Sequence, residues 1–271
     1  MIKADKGVER VRKDYHIHPT ILKTPERFDA FVQCARRKHI GEICVTDHMP
    51  LSLSAASDRI PQGRVGEYCR AVREAAKRYE GVIRIKCGIE IDFHPSVMSE
   101  IDSVLEAGDF DYILASSHMH IFIKDYPSYT FNSFAAAALE NSILAAQTGR
   151  FDAIAHPDMY RFAFENPQRF PLVRECYEPT RHEGLIQELL ATLLKKEMCL
   201  EINPHLAENK GDMSYVYPDA QIAAWALEKN VRFSYGSDAH KPESVGACLD
   251  ELTAHPVYGR ALEGWEAQKG F

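Results

Sequence analysis

Extended apolar runs alternate with amphipathic stretches along nearly the whole chain. The runs cover 12–18, 41–47, 82–91, 110–117, 151–156, 198–203 and 231–237. Each is short and rich in branched or aromatic residues, which predicts a buried strand. Between them the apolar positions follow helical spacing. One such stretch opens at Pro25, Glu26 and Arg27 and runs to Lys38 before Gly41, with proline where a first helical turn tolerates it. Others cover 64–79, 95–107, 133–148, 181–197 and 219–229, and a last one follows Pro242. Strand then helix, seven times over, predicts parallel strands joined by crossover helices. Seven units in 271 residues suit a closed α/β barrel of the TIM type, and no GxGxxG follows the first run to suggest an open dinucleotide-binding sheet. No Ser/Gly linker, low-complexity tract or repeat divides the chain, so 1–271 reads as a single barrel domain.

The ends of these runs carry the chemistry. In order they read DYHIH (Asp14 to His18), ICVTDH (to His48), ILASSHMH (to His120), AIAHPD (to Asp158), CLEIN (to Asn203) and FSYGSDAH (to His240), while IKCGIEIDF carries Glu90. Imidazoles and carboxylates converging from many strand ends assemble a metal site, and this number of them predicts a polynuclear one. Residues two apart on a strand point the same way, so His16 and His18 share a side. Asp238 and His240 repeat that spacing on the last strand, which in a closed barrel lies beside the first. Glu90 is a carboxylate inside an apolar strand, a costly placement without a cation nearby.

Composition narrows the function. The net charge of −7 argues against nucleic-acid binding, which needs a basic face. A small anionic substrate remains open, because bound metal reverses the sign locally. Seven cysteines without CxxC spacing give neither a disulfide framework nor a zinc ribbon, and Cys34, Cys44, Cys87 and Cys199 sit in apolar stretches as small hydrophobes. No signal peptide opens the sequence and no apolar run approaches a membrane span, so a cytoplasmic protein without membrane contact is expected. Two long loops, 49–63 and 157–180, directly follow ligand strands and read as walls of a substrate pocket. His39, His94, His182 and His255 fit surface or packing roles.

The motifs DYHIH, TDH, GIE, SSHMH, AHPD, EIN and YGSDAHKPESVG resemble those of the PHP (polymerase and histidinol phosphatase) superfamily, over almost the whole chain. The ending GSDAHKP…VG is most similar to the stand-alone histidinol-phosphate phosphatases. The resemblance implies a distorted (βα)7 barrel with two or three divalent ions, Zn, Mn or Fe, at the C-terminal face. Carried over position by position, it implies His16, His18, Glu90 and Asp238 at a first metal. Glu90, bridging, with His118 and His156 would hold a second, and His48 with His240 a third. Many members place a further third-site histidine about eight residues after the first of the HxH pair. Residues 19–24 here, Pro-Thr-Ile-Leu-Lys-Thr, contain none.

The activity so implied is a metal-dependent phosphomonoesterase hydrolysing L-histidinol phosphate. A metal-bridging hydroxide would attack phosphorus, and Asp238 or His240 would protonate the leaving alkoxide. Two divalent ions, offset by Glu90, Asp238 and a hydroxide, leave a site charge of about +1, and a third raises it to about +3, enough to attract a phosphate dianion. On the substrate side Arg161 is the candidate for phosphate, with His120 and His205 within reach of the pocket. Asp58, Asp158 or Glu165 would meet the substrate ammonium. The alternatives are another small phosphate ester (a sugar phosphate or nucleotide), amidohydrolase-type C–N hydrolysis, or a metal-binding barrel without catalysis. The amidohydrolase pattern uses a lysine bridge where this chain has Glu90, and the intact ligand pairs speak against lost catalysis.

Overall fold

The computed structural model describes residues 11–52, 59–118, 121–122, 130–161 and 178–267. Seven parallel strands follow one another around the sheet in chain order: β1 (Lys13–Ile17), β2 (Glu42–Val45), β3 (Arg84–Asp92), β4 (Tyr112–Ser116), β5 (Ala153–Ile154), β6 (Cys199–Ile202) and β7 (Arg232–Tyr235). The segment after β7 closes the ring onto β1, since Ile17 and Ala239 form a parallel bridge. His18 N–H donates to the Ala239 carbonyl at 2.9 Å and Asp238 N–H to the His16 carbonyl at 2.7 Å. This is a nearly closed TIM-like barrel.

Helices cover the outside: α1 (Pro25–Arg37), α2 (Val65–Arg78), α3 (Met98–Ala107), α4 (Phe131–Thr148), α5 (Glu183–Lys195), α6 (His205–Lys210), α7 (Ala220–Glu228), α8 (Leu249–Ala254) and α9 (Tyr258–Ala267). Local chemistry sets their ends. Proline occupies the first turn of α1. Thr130 and Ser133 form a reciprocal cap at the start of α4, and Gly149 closes it with φ of +67°. The α1 face buries Phe28, Phe31, Val32 and Ala35 against the sheet. Cys34, Cys44, Cys87 and Cys199 are buried and unbridged, as small core hydrophobes. No described helix is long and apolar enough to cross a membrane.

The barrel's interior is divided by a register shift in β1, between Asp14 and Ile17. Strict alternation would send the adjacent residues Tyr15 and His16 to opposite faces. The extra residue brings both inward, the usual effect of a bulge beside a functional site. Tyr15 meets Tyr112 of β4 edge-on at 5.1 Å, three strands away across the interior, and Trp265 of α9 at 4.8 Å. Below it Lys13 Nζ donates to the Trp265 carbonyl at 3.2 Å, and the Tyr15 hydroxyl donates to Glu42. This aromatic plug fills the N-terminal end, and His16 marks the change to polar chemistry at the C-terminal end.

Asp14 pins the closing strand. Its fully buried carboxylate accepts the Ser237 N–H and the Gly246 N–H, each at 2.9 Å. Asp14→Ala orphans both amides and is expected to cost about 2–5 kcal/mol. Denaturant melts followed by circular dichroism check this, and a loss under about 1 kcal/mol would mean the amides find other partners.

Candidate metal centre

Glu90 lies near the end of β3 and is 1% exposed, with its two oxygens facing different imidazoles. Oε2 stands 2.8 Å from His48 Nδ1, 3.4 Å from His16 Nε2 and 3.5 Å from His18 Nε2. Oε1 stands 3.1 Å from His156 Nε2 and 3.7 Å from His118 Nε2. Asp238 Oδ1 enters from the closing segment, 3.2 Å from His18 Nε2, 3.5 Å from His240 Nδ1 and 3.7 Å from His16 Nε2. The fold therefore brings together His16, His18, His48, Glu90, His118, His156, Asp238 and His240. The pairs His16/His18 and Asp238/His240 lie side by side, because β1 and the β7 extension are bonded neighbours.

Whether this set suits cations is answered by its hydrogen bonding. His16 Nε2, both ring nitrogens of His18 and Glu90 Oε2 are buried and make no hydrogen bond. Imidazole nitrogens and carboxylate oxygens of this set nonetheless stand 2.8–3.7 Å from one another. Donor atoms this close but not aligned on one another are what remains when lone pairs aim at shared points between them. Potential ligand atoms fall into groups within 4.8 Å of one another: His16/His18/Asp238, His16/Glu90/His156, His18/His48/His240 and His205/Asp238/His240. The donor set, imidazole and carboxylate, suits divalent ions.

Residues behind the ligands orient them. Glu201 of β6 sits behind His16, its Oε1 2.6 Å from His16 Nδ1, and its Oε2 accepts the His156 N–H at 3.0 Å. Asp92 bonds His118 Nδ1 in the same way. A carboxylate on the far nitrogen fixes the ring and its tautomer, turning Nε2 towards the Glu90 side as the ligating nitrogen. Sequence reading did not nominate either residue, although the argument applied to Glu90, a carboxylate inside an apolar run, holds equally for Glu201. Gly236 leaves the room that His16 and Glu201 need, since a Cβ there would lie 2.2 Å from His16 Cβ and 2.3 Å from Glu201 Oε1. His156 and Asp238 take the left-handed region, φ +26° and +54°, where a non-glycine residue carries backbone strain of the kind stored at functional sites. Glu201→Gln is expected to weaken metal binding about 10–100-fold while Glu90 and Asp238 keep their charge. A chelator-competition titration reads this directly, and unchanged affinity would reduce Glu201 to packing.

Electrostatics follow from the crowding. Burial alone would raise the Glu90 carboxyl, but His48, His16 and His118 outweigh it and hold it well below the usual carboxylate range. Asp238 is likewise held ionised against its burial, by His16, His205, His18 and His240. Burial would push His16 down, yet Glu201, Asp238 and Glu90 raise it well above an ordinary imidazole. His18 falls well below, through burial and its neighbours His48 and His240, whose rings stack on it at 4.3 and 4.4 Å. Protons on some imidazoles thus balance the carboxylates, and divalent ions would displace those protons.

The PHP domain profile matches residues 14–205, more than two-thirds of the chain. The chain belongs to the PHP domain family. Its similarity to individual family members is lower but runs nearly end to end. A Deinococcus radiodurans protein named "probable histidinol-phosphatase" is 26% identical over 86% of this chain and 88% of its own length. The histidinol-phosphatase of Bacillus subtilis is 24% identical over 87% and 96%. Among solved PHP-type barrels, the histidinol phosphate phosphatase of Lactococcus lactis superposes with a TM-score of 0.72, covering 92% of this chain and 93% of its own at 20% identity. That protein was solved with zinc, L-histidinol and phosphate. Asp238 and His240 lie beyond the matched PHP region but on the strand extension that completes the barrel.

The substrate-side expectations fare differently. His205 does reach the cluster, its Nδ1 3.0 Å from the Asp238 carbonyl. Arg161 lies one ring away from His156, over Tyr217 at 5.1 Å, and is buried. It donates to the Ser214 carbonyl at 3.0 Å and to the Val216 carbonyl, with Nε 3.2 Å from Asp158. A phosphate contact there requires exchange of these partners. Asp158 corrects the expectation of an ammonium-binding carboxylate: it is fully buried, pairs with Arg161 and accepts the Asp219 N–H at 2.8 Å, so it faces the fold. His120, Asp58 and Glu165 lie outside the described residues. His39, His94, His182 and His255 stand outside the cluster; His182 Nε2, for instance, faces the Asn132 carbonyl at 3.2 Å.

Proposed function

We propose that this PHP-family barrel is a metal-dependent phosphomonoesterase whose substrate is L-histidinol phosphate. The observation that carries the reading is Glu90, a buried carboxylate whose two oxygens face separate sets of imidazoles, with buried ring nitrogens beside it that make no hydrogen bond. The named relatives, all histidinol-phosphatases, support the substrate. His16, His18, Glu90 and Asp238 would hold one ion, Glu90, His118 and His156 a second, and His48 with His240 a third. Divalent ions bound there supply positive charge against a phosphate dianion and an acidified water as nucleophile. The protein's own part is to keep Glu90 and Asp238 ionised, to fix His16 and His118 in the ligating tautomer through Glu201 and Asp92, and to hold the ligands together at one end of the barrel. Asp238, held ionised, suits a ligand rather than the acid that protonates the leaving alkoxide. Of the two candidates this leaves His240 where no third ion occupies its ring, and solvent at the pocket mouth where one does.

The alternative is another small phosphate ester, since specificity resides in the loops rather than in the metal ligands. The test is kcat/KM for L-histidinol phosphate against sugar phosphates and nucleotides, measured on metal-replete protein. A preference of at least tenfold, about 1.4 kcal/mol, is expected. A smaller one would mean that the amino-alcohol end goes unrecognised, and the general phosphoesterase reading would replace this one.

A further inference from the structure

We propose that His205 is a metal ligand in this chain, joining His240 and Asp238 around one divalent ion and completing the third position of the cluster. This rests on the metal-dependent reading above and specifies which residues finish the site. Sequence reading placed His205 near substrate; the geometry points instead to the ion.

The position of His205 is fixed from two sides. The β6 strand ends at Ile202, and Asn203 Oδ1 accepts the His205 N–H at 3.0 Å, starting α6 at that residue. The same amide donates through Nδ2 to Glu201 Oε2 at 3.1 Å and lies 3.4 Å from Asp238 Oδ2. One buried asparagine thus ties the His205 backbone to the carboxylate behind His16 and to the carboxylate of Asp238.

The tautomer follows from a single carbonyl. Asp238 adopts φ of +54°, and its carbonyl oxygen is 3.0 Å from His205 Nδ1 and 3.0 Å from His240 Nδ1. A carbonyl only accepts, so each Nδ1 carries its proton and donates it there. When neutral, each ring keeps a lone pair at Nε2, the pattern of metal-bound histidines, whose second nitrogen donates to a carbonyl or carboxylate. The rings stand 5.6 Å apart, edge to face, and one ring nitrogen of each lies within 4.8 Å of an Asp238 carboxylate oxygen. Two imidazoles and a carboxylate are a common set for one divalent ion.

The segment after β1 offers nothing in exchange. Residues 19–24 contain no imidazole, thiol or carboxylate. Their backbone is turned to Asp47, whose carboxylate accepts Thr20 N–H at 2.9 Å and Ile21 N–H at 3.0 Å, while the Thr20 and Thr24 hydroxyls pair at 2.7 Å. The missing donor comes from the β6 end instead. With the Nε2 lone pair of His240 on an ion, His240 is not the acid, and the leaving alkoxide takes its proton from solvent.

The test compares full-length wild type with His205→Gln and His205→Ala. Each is stripped of metal, reloaded with Zn or Mn, and assayed for bound ions by mass spectrometry and for stepwise affinity by calorimetry. Wild type should hold three ions. Both variants should hold two, with the two tighter constants unchanged and the third weakened at least tenfold, while metal-free melting curves match wild type. X-ray absorption of the Zn form should show fewer histidine ligands per ion in the variants. The proposal fails if the variants bind as many ions as wild type with the same constants, whether that number is two or three. It fails equally if ion content is unchanged and only KM rises, which would return His205 to the substrate. Wild type that takes up no divalent ion overturns the metal-dependent reading itself, an outcome distinct from loss of the third ion alone.

Discussion

Replacing Glu90 with glutamine is expected to remove at least one metal ion and to lower kcat/KM by at least about 10³-fold, roughly 4 kcal/mol. The substitution keeps the shape of the side chain and deletes its charge. Glu90 Oε2 faces His48, His16 and His18 while Oε1 faces His156 and His118, so no other described carboxylate lies between both groups of rings. A neutral amide offers one oxygen to cations that need two, and its NH₂ would point at the other set. Metal analysis and steady-state kinetics on the same preparation check the result, with circular dichroism to confirm folding. Full metal content and near-normal turnover would remove Glu90 from the bridging role.

Exhaustive chelation is expected to abolish phosphomonoesterase activity, and divalent metal to restore it. The sequence contains no GxSxG nucleophile elbow to supply a metal-free route. The same treatment should lower the melting temperature, because ions that bind only the folded chain stabilise it by about 2.7 kcal/mol each when present at about 100 times their dissociation constant. Without them the buried carboxylates of Glu90, Glu201 and Asp238 are offset only by neighbouring imidazoles and amides. Activity that persists after verified metal removal would defeat the mechanism, and a melting temperature indifferent to metal would argue that the cluster does not hold ions at all.

The barrel was legible because its signal is local and repeated. Six of the seven strands fall inside the predicted runs and β3 extends one residue past its own, with every end shifted by one or two residues. The largest difference is β5, reduced to Ala153–Ile154 from an expected 151–156. There His156 leaves strand geometry with φ of +26° to accept its place against Glu201, a tertiary demand that overrides the apolar run. The helix at 205–210 went unread. Six residues after Asn203-Pro204 show too little periodicity, and what starts the helix is the Asn203 side chain, itself positioned by Glu201 of the barrel interior.

The site divides along the same line. From the sequence alone came the strand ends, the His16/His18 and Asp238/His240 pairs and the buried Glu90, because period-two alternation and the cost of burying a carboxylate act within a few residues; the resemblance to the PHP motifs added His48, His118 and His156 to the ligand set. Tertiary structure alone decided how those groups face one another. Glu90 and Glu201 are indistinguishable as sequence signals, each an acid in an apolar strand. Yet Glu90 lies among five imidazoles, while Glu201 stands behind His16 and holds its far nitrogen. The bulge in β1, which turns both Tyr15 and His16 inward, and the left-handed turn at Asp238, which offers one carbonyl to His205 and His240, leave no local trace either. Strand register, barrel closure and carbonyl direction are set by contacts between residues far apart in the chain, and those exist only once the barrel has closed.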